Sequence, residues 1–160
     1  MTGYYFEEFK VGQLFVHPIR RTVTETDNVL FSAMTHNPAP LHIDKEYMRT
    51  QSEFGAPLVN SFFTLGLIVG ISINDTTLGT TVANLGLEQV RFPHPLFVGD
   101  TVHVETEVVA LRPSRSRPGN GILTLEHRGF NQHDALIASC RRSVLMLCKP
   151  PPSNEQLREP

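Results

Sequence analysis

The sequence predicts an α+β fold in which an antiparallel sheet wraps around one buried central helix. Residues 60–75, NSFFTLGLIVGISIND, are apolar on nearly every helical face, and a helix of that kind is buried on all sides. The second half of the chain contains four segments that alternate polar and apolar residues, as half-buried strands do. Strands of that length can enclose a single helix, so the two observations favour the same architecture.

Length and composition favour one domain with a full hydrophobic core. The chain has 160 residues, of which 40% are hydrophobic and 19% charged, and its formal net charge is −2. We expect a single domain over residues 1–149 and a Pro-rich polar tail over 150–160. No clustered basic excess is present, so we expect no nucleic-acid partner. The longest apolar stretch is too short to cross a bilayer, so we expect no membrane partner.

Three helices are predicted before the long strands. The first follows Thr24, whose spacing to Asp27 is typical of a capping box. The second covers residues 45–51 and takes Asp44 as its N-cap. The third is the apolar helix described above.

An N-terminal strand and four long strands complete the predicted fold. They are expected within GQLFVHPIRRTVT, TVANLGLEQVRF, TVHVETEVVAL, GILTLEHRGF and ALIASCRRSVLML. Gly99–Asp100 and residues 118–121 are turn signals between them. Short helices, a buried helix and a four-stranded meander together form the hot-dog fold, which is therefore the predicted fold class.

The cysteines and the N-terminus predict a cytoplasmic protein. Cys140 and Cys148 lie in one predicted strand, roughly 26 Å apart along it, which is too far for a disulfide. Reduced thiols are typical of the cytosol. The first ten residues lack the basic start and apolar run of a signal peptide. No metal-ligand spacing or phosphate-binding glycine motif occurs, so we expect no metal and no cofactor.

Residues 24–48, TETDNVLFSAMTHNPAPLHIDKEYM, resemble the signature of the MaoC-like, (R)-specific enoyl-CoA hydratase family. Residues 40–44 match the family's Pro-Leu-His-x-Asp run. FGAPLVNSFFTLGL and FPHPLFVGDTVHVETEV resemble the family's entry into its central helix and the strands that follow it. The resemblance covers about residues 5–147. It implies the hot-dog fold and a hydro-lyase acting on an acyl-CoA thioester, with coenzyme A as part of the substrate.

The resemblance implies that His42 is catalytic, together with the residue five positions before it. The reference pKa of histidine, ~6.5, suits an imidazole that acts first as a base and then as an acid. The family has Asp at the earlier position, whereas this chain has Asn37. An amide does not titrate, so Asn37 would orient water or the thioester oxygen, or would only terminate a helix. His36 is the nearest candidate for a second acid, and its alternative is an exposed helix end.

Backbone N–H groups around Asn60, Ser61 and Phe62 are the predicted stabilisers of the thioester oxygen. The first turn of a helix has unpaired donors and a partial positive charge. Asn60 and Ser61 also suit a helix cap, and the two roles are compatible. Ser61 stands where the family usually has Gly.

Arg115 and Arg117 are candidates for binding a coenzyme A phosphate or a substrate carboxylate, since a planar guanidinium pairs bidentately with both anions. Their alternative is a solvated loop cluster. The run SRSRPGNG adds a resemblance to the mesaconyl-CoA or itaconyl-CoA branch of the family, which implies a branched dicarboxylic acyl-CoA.

Three functions and one assembly are expected. The first function is reversible hydration of an enoyl-CoA to a 3-hydroxyacyl-CoA. A hot-dog thioesterase is an alternative, although residues 61–74 contain no Asp or Glu. A non-catalytic acyl-CoA-binding subunit is the third, because Asn37 replaces the family's Asp. The exposed edges of a single curled sheet predict a homodimer.

Overall fold

A computed structural model of the chain describes residues 3–150. After a short 3₁₀ turn at Phe6–Glu8, its elements are β1 (Leu14–Val16), β2 (Arg21–Thr22), α1 (Glu25–Met34), α2 (Pro40–Ile43), α3 (Lys45–Gln51), α4 (Ser61–Ile73), β3 (Thr81–Arg91), β4 (Thr101–Pro113), β5 (Asn120–Phe130) and β6 (Leu136–Leu147). The predicted tail lies outside the described residues apart from Pro150. No helix among residues 3–150 is both long enough and apolar enough to cross a membrane.

The strands form an antiparallel sheet in the order β1-β4-β5-β6-β3, and β2 pairs with the start of β4. Buried residues alternate along β4 and β5, as the period-two pattern predicts. The register aligns Thr106 of β4 with His127 of β5, and His127 with Cys140 of β6. Three polar or sulfur-containing side chains therefore lie side by side on the face that packs toward α4.

Helix α4 lies against the concave face of this sheet, and Ile68 at its centre is fully buried. A Cβ added at Gly129 of β5 would collide with the Ile68 side chain, so the glycine permits this close approach. The predicted burial of α4 on every face is wrong for the single chain. Phe62 is 73% exposed and Gly66 and Gly70 are also exposed. One sheet covers only one side of a helix, so the other apolar side stays open.

Local signals start the helices at the predicted residues. Thr24 caps α1 and forms the capping box with Asp27. The Asp44 carboxylate accepts the N–H of Tyr47 at the start of α3. Helix α2 was not predicted, because four residues are too few to show a helical period. Pro40 begins it, at a position where the missing proline N–H removes no helical hydrogen bond.

The N-terminal and C-terminal segments close one end of the sheet. Phe9 packs with Leu123, Val144 and other buried residues in a second apolar cluster. The predicted N-terminal strand is divided into β1 and β2, with Pro18 between them. Both cysteines are unbonded, as expected from their spacing, with Cys140 buried.

Candidate active site

His42 is held by the backbone of the segment that leads into α4. It lies in α2 and is 9% exposed. Its ring atom Nδ1 is 2.9 Å from the carbonyl oxygen of Leu58. A carbonyl oxygen can only accept, so Nδ1 carries the hydrogen and the neutral ring presents a lone pair at Nε2. The backbone thereby selects the tautomer in which Nε2 is the base.

Asn28 joins the three segments that surround His42. This α1 residue is 1% exposed. Its Nδ2 donates to the carbonyl oxygens of His42, at 2.8 Å, and Leu58, at 3.0 Å. Its Oδ1 accepts the N–H of Asn60 at 2.9 Å. Two carbonyl acceptors and one N–H donor determine which end of the amide is oxygen.

The start of α4 uses two of the three predicted backbone donors within the protein. The N–H of Asn60 donates to Asn28, and the N–H of Phe62 donates to the Asn60 side chain at 3.0 Å. Asn60 is the N-cap and is 2% exposed. Within residues 3–150, the N–H of Ser61 has no hydrogen-bond partner. Ser61 is exposed.

Asn37 is half-buried and makes no hydrogen bond to His42. Its Oδ1 accepts the N–H of Ala39 at 3.1 Å, which leaves the NH₂ group as its free donor among the described residues. Its backbone N–H donates to the carbonyl oxygen of Ser32. His36 is exposed and has a positive φ of 52°, which is uncommon for a residue other than glycine.

Two cavities flank the segment that carries His42, although His42 itself lines neither of them. One, of about 350 Å³, is lined by residues of α1 and the loop after it, including Ser32, His36 and Asn37. The Ser32 hydroxyl is buried and has no hydrogen-bond partner within residues 3–150. The other, of about 390 Å³, is lined by Leu58, Ser61 and mainly apolar residues of the loop after β3.

Arg115 and Arg117 lie in the exposed hairpin between β4 and β5. That hairpin is at the opposite end of β5 from Gly129, which packs against Ile68 at the centre of α4. Nine positions of strand correspond to about 30 Å. Within one chain the structure therefore does not bring these arginines to His42.

A second polar network lies at the C-terminal end of α4. The Asp75 carboxylate is 3.0 Å from His17 Nδ1, and His17 Nε2 is 2.8 Å from the Thr106 hydroxyl. The same hydroxyl is 2.9 Å from His127 Nδ1. Burial, then the positive charge of Arg142, lowers the pKa of His127 to about 3. This histidine stays neutral at any ordinary working pH.

Sequence reasoning missed Asn28 and Ser32 as parts of the site. They are four residues apart on α1, so they share one face, and both are buried. Two buried polar residues at that spacing are the signal that the pattern Asn28-Val-Leu-Phe-Ser32 contained. Within the described part of the chain, no group of three or more His, Cys, Asp or Glu residues has the arrangement of a metal site.

The chain is similar to known proteins of one family. The family model described as a MaoC-like domain matches residues 8–129. Mesaconyl-CoA hydratase of Cereibacter sphaeroides is 30% identical over 144 residues, covering 90% of this chain and 41% of that protein. The (R)-specific enoyl-CoA hydratase of Aeromonas caviae is 34% identical over 106 residues, covering 66% of this chain and 73% of that protein.

The fold is also shared with solved structures. A Mycobacterium tuberculosis protein described as having a double hotdog fold superposes with a TM-score of 0.82 at 24% identity, over 92% of this chain and 45% of that one. The predicted hot-dog fold is thereby confirmed. The chain spans about two fifths of the length of the mesaconyl-CoA hydratase that it matches.

Proposed function

Since the chain belongs to the MaoC-like domain family, we propose that it is a hydro-lyase that adds water reversibly to an enoyl-CoA, giving a 3-hydroxyacyl-CoA. The observation that carries this proposal is the tautomer of His42. Its Nδ1–H bond to the Leu58 carbonyl leaves Nε2 as a proton acceptor.

In the hydration direction, Nε2 of His42 takes a proton from water while the water oxygen bonds to the β carbon of the enoyl thioester. Electron density moves to the α carbon and the thioester oxygen, and the imidazolium returns the proton to the α carbon. The Leu58 carbonyl oxygen stabilises the imidazolium between these steps, since a hydrogen bond from a charged donor is stronger than one from a neutral donor. One imidazole thus serves as base and acid.

The N–H of Ser61 is the proposed donor to the thioester oxygen. It is an unpaired N–H in the first turn of a 13-residue helix, where the partial positive charge favours developing negative charge. Such a donor is typically worth ~3 kcal/mol of the barrier. Asn60 and Phe62 support it structurally, because their own N–H groups are engaged in the cap.

Asn37 is proposed to bind the attacking water with its free NH₂ group. Its carbonyl oxygen is engaged by Ala39, so donation to the water oxygen is the contact left to it. His36 lines the same cavity and stays the candidate for a second acid. The reaction as proposed uses only protein groups and water, and we propose that it requires no cofactor.

A branched dicarboxylic acyl-CoA is the proposed substrate type, because the mesaconyl-CoA hydratase relative is matched over 90% of this chain. Arg115 and Arg117 are proposed to bind a coenzyme A phosphate or the distal carboxylate. They lie far from His42 in the same chain, so this role requires a second subunit that brings its own hairpin to the site. Cytoplasmic location is proposed from the two unbonded cysteines.

The second subunit is proposed to be another copy of this chain. Strand β3 is at the edge of the sheet, and it exposes Val82, Leu85, Leu87 and Val90. An exposed edge with apolar side chains favours pairing. The open face of α4, with Phe62, is likewise apolar and exposed. Light scattering should give twice the 17.9 kDa mass of one chain, and a mass that stays at one chain across concentrations would contradict the dimer.

The proposed activity is tested by following the loss of enoyl-thioester absorbance together with the appearance of free thiol. The substrates are a short straight-chain enoyl-CoA and mesaconyl-CoA, and the variants are His42→Ala and His133→Ala. His133 is exposed in the turn after β5, so its replacement is the matched control. Turnover without thiol, lost only in His42→Ala, supports the hydro-lyase. Thiol release would indicate a thioesterase, and acyl-CoA binding without turnover would indicate a binding subunit.

A further inference from the structure

The Asn28 side chain forms hydrogen bonds to both halves of the candidate site. It donates to the carbonyl oxygen of His42, the residue that supplies the base, and accepts from the N–H of Asn60, the cap that precedes the proposed donor Ser61. Its third hydrogen bond reaches the Leu58 carbonyl oxygen, which is also the acceptor for His42 Nδ1. The buried amide of Asn28 therefore links the backbone groups of His42, Leu58 and Asn60. Through the Leu58 carbonyl oxygen it also links the His42 ring.

We propose that Asn28 is a positioning residue that sets the His42 imidazole relative to the N–H of Ser61. This inference rests on the proposed function only for its catalytic consequence, because the geometry itself is independent of the reaction. Helix α2 has only four residues and is too short to hold its own orientation. The hydrogen bond from Asn28 to the carbonyl at its end ties α2 to α1.

The effect of this bond is expected on the chemical step. A misplacement of a reacting group by about 1 Å can lower a rate ~10²-fold, although no contact with the substrate is lost. Ser61 and the substrate cavity beside it stay formed by α4 and the loop after β3. Loss of Asn28 should therefore lower kcat much more than it weakens acyl-CoA binding.

The hydrogen bonds of Asn28 also affect the imidazole directly. The Leu58 carbonyl oxygen accepts from both Asn28 and His42, so the two donors share one acceptor. When one donor is removed, the oxygen becomes a better partner for the other, provided that the ring keeps its place. If the ring moves away, Nδ1 loses its acceptor and the two neutral tautomers become mixed. A role in packing alone would change neither the tautomer nor the pH profile.

The test compares Asn28→Leu, Asn28→Asp and Thr24→Ala. Leu has nearly the shape of Asn without its hydrogen bonds. Asp, when protonated, keeps the acceptor for Asn60 and one donor, and loses the donor when it ionises. Thr24→Ala is the matched control, because it removes the cap of the same helix and touches none of the bonds of Asn28. Steady-state kinetics, affinity for a saturated acyl-CoA and the ¹⁵N NMR signals of the His42 ring are measured for each variant.

We expect Asn28→Leu to lower kcat by about 30-fold or more, with the acyl-CoA affinity changed less than ~3-fold and the His42 tautomers mixed. Relative to the wild type at the same pH, Asn28→Asp should be more active at low pH than at high pH. It loses activity as the new carboxyl group ionises, because the carboxylate is repelled by the two carbonyl oxygens. If Asn28→Leu does not fold, the kinetics and the His42 NMR signals of Asn28→Asp decide the test. A kcat within about 3-fold of that of Thr24→Ala, with an unchanged His42 tautomer, would overturn the proposal.

The NMR measurement separates this proposal from the proposed activity. If the wild-type protein turns over neither enoyl-CoA, the hydro-lyase function fails, whereas the tautomer of His42 still reports whether Asn28 positions it. A single Nδ1–H tautomer that persists in Asn28→Leu would then reject the positioning role. A mixture that appears only when the Asn28 amide is removed would uphold it.

Discussion

The two ends of helix α4 carry two polar networks that use histidine in opposite ways. At the N-terminal end, His42 is 9% exposed and bonds to a backbone carbonyl, and its Nε2 has no hydrogen-bond partner within residues 3–150. At the C-terminal end, His17 and His127 bond to side chains within the sheet, and His127 is fully buried. Backbone anchoring leaves a ring nitrogen free for chemistry, whereas the buried chain of side chains leaves none accessible.

The direction of the C-terminal network follows from its donors and acceptors. The Asp75 carboxylate accepts from His17 Nδ1, so neutral His17 has a lone pair at Nε2 and accepts from the Thr106 hydroxyl. That hydroxyl in turn accepts from His127 Nδ1–H. His127 Nε2 is left buried with no partner within residues 3–150, and so is Nη1 of Arg142. This end is a structural network that is sensitive to charge.

The largest expected effect distinguishes the function of His42 from that of His127. His42→Ala should lower kcat/KM by about 10²–10⁴-fold with little change in unfolding free energy, since it removes the acid and base of a mostly fixed site. His127→Leu should change the unfolding free energy and leave kcat/KM within about 3-fold at neutral pH. Enoyl-CoA kinetics and urea unfolding of both variants check this contrast. A large kinetic effect of His127→Leu would show that the two networks are coupled.

A smaller effect is expected from Thr106→Val, which removes the hydroxyl that joins the two imidazoles without changing the side-chain shape. The variant leaves His17 Nε2 and His127 Nδ1 buried without a partner. Each orphaned group typically costs ~1–3 kcal/mol, so for two groups we expect a loss of roughly 2–6 kcal/mol in unfolding free energy. Urea denaturation measures it, with Thr124→Val, at a partly exposed position of the neighbouring strand, as the control. Equal losses in both variants would argue against a special role for Thr106.

The network at the C-terminal end of α4 should set the pH dependence of the unfolding free energy. The pKa of His127 is lowered from 6.5 to about 3, so the unfolded chain binds a proton there more readily than the folded one. Its contribution to stability is complete above pH 6.5 and is lost as the pH falls toward 3. Between pH 7 and pH 5 the loss is about 2 kcal/mol. Unfolding curves at both pH values test this, and His127→Leu should abolish that part of the pH dependence.

The smallest effect concerns the helix that carries Asn28. Thr24→Ala removes the capping box of α1 and should lower the unfolding free energy by ~1 kcal/mol. Because the bonds of Asn28 remain, kcat should change less than 3-fold. Thermal unfolding and enoyl-CoA kinetics measure the two effects. A loss of activity out of proportion to the loss of stability would mean that the N-terminal network depends on the helix start as much as on Asn28.

Local signals predicted much of the fold and part of the candidate site. Thr24, Asp44 and Asn60 each start a helix at the residue expected from capping, because a cap is a contact between close neighbours in sequence. His42 was found through its resemblance to a family motif. Helix α2 and the role of Asn28 were not found, since a four-residue helix has no period and Asn28 bonds to residues 14 to 32 positions away.

The sequence by itself determined helices α1, α3 and α4 and the four long strands, because these depend on capping and alternation along the chain. It indicated His42 as the base only through its resemblance to a family motif. Tertiary structure alone decided the tautomer of His42, the pairing of the Asn60 N–H with Asn28 and the distance of Arg115 and Arg117 from the site. It also decided that α4 keeps an open apolar face. Each of these depends on which distant backbone group or strand comes to lie beside a residue, and that is fixed only when the sheet curls around the helix.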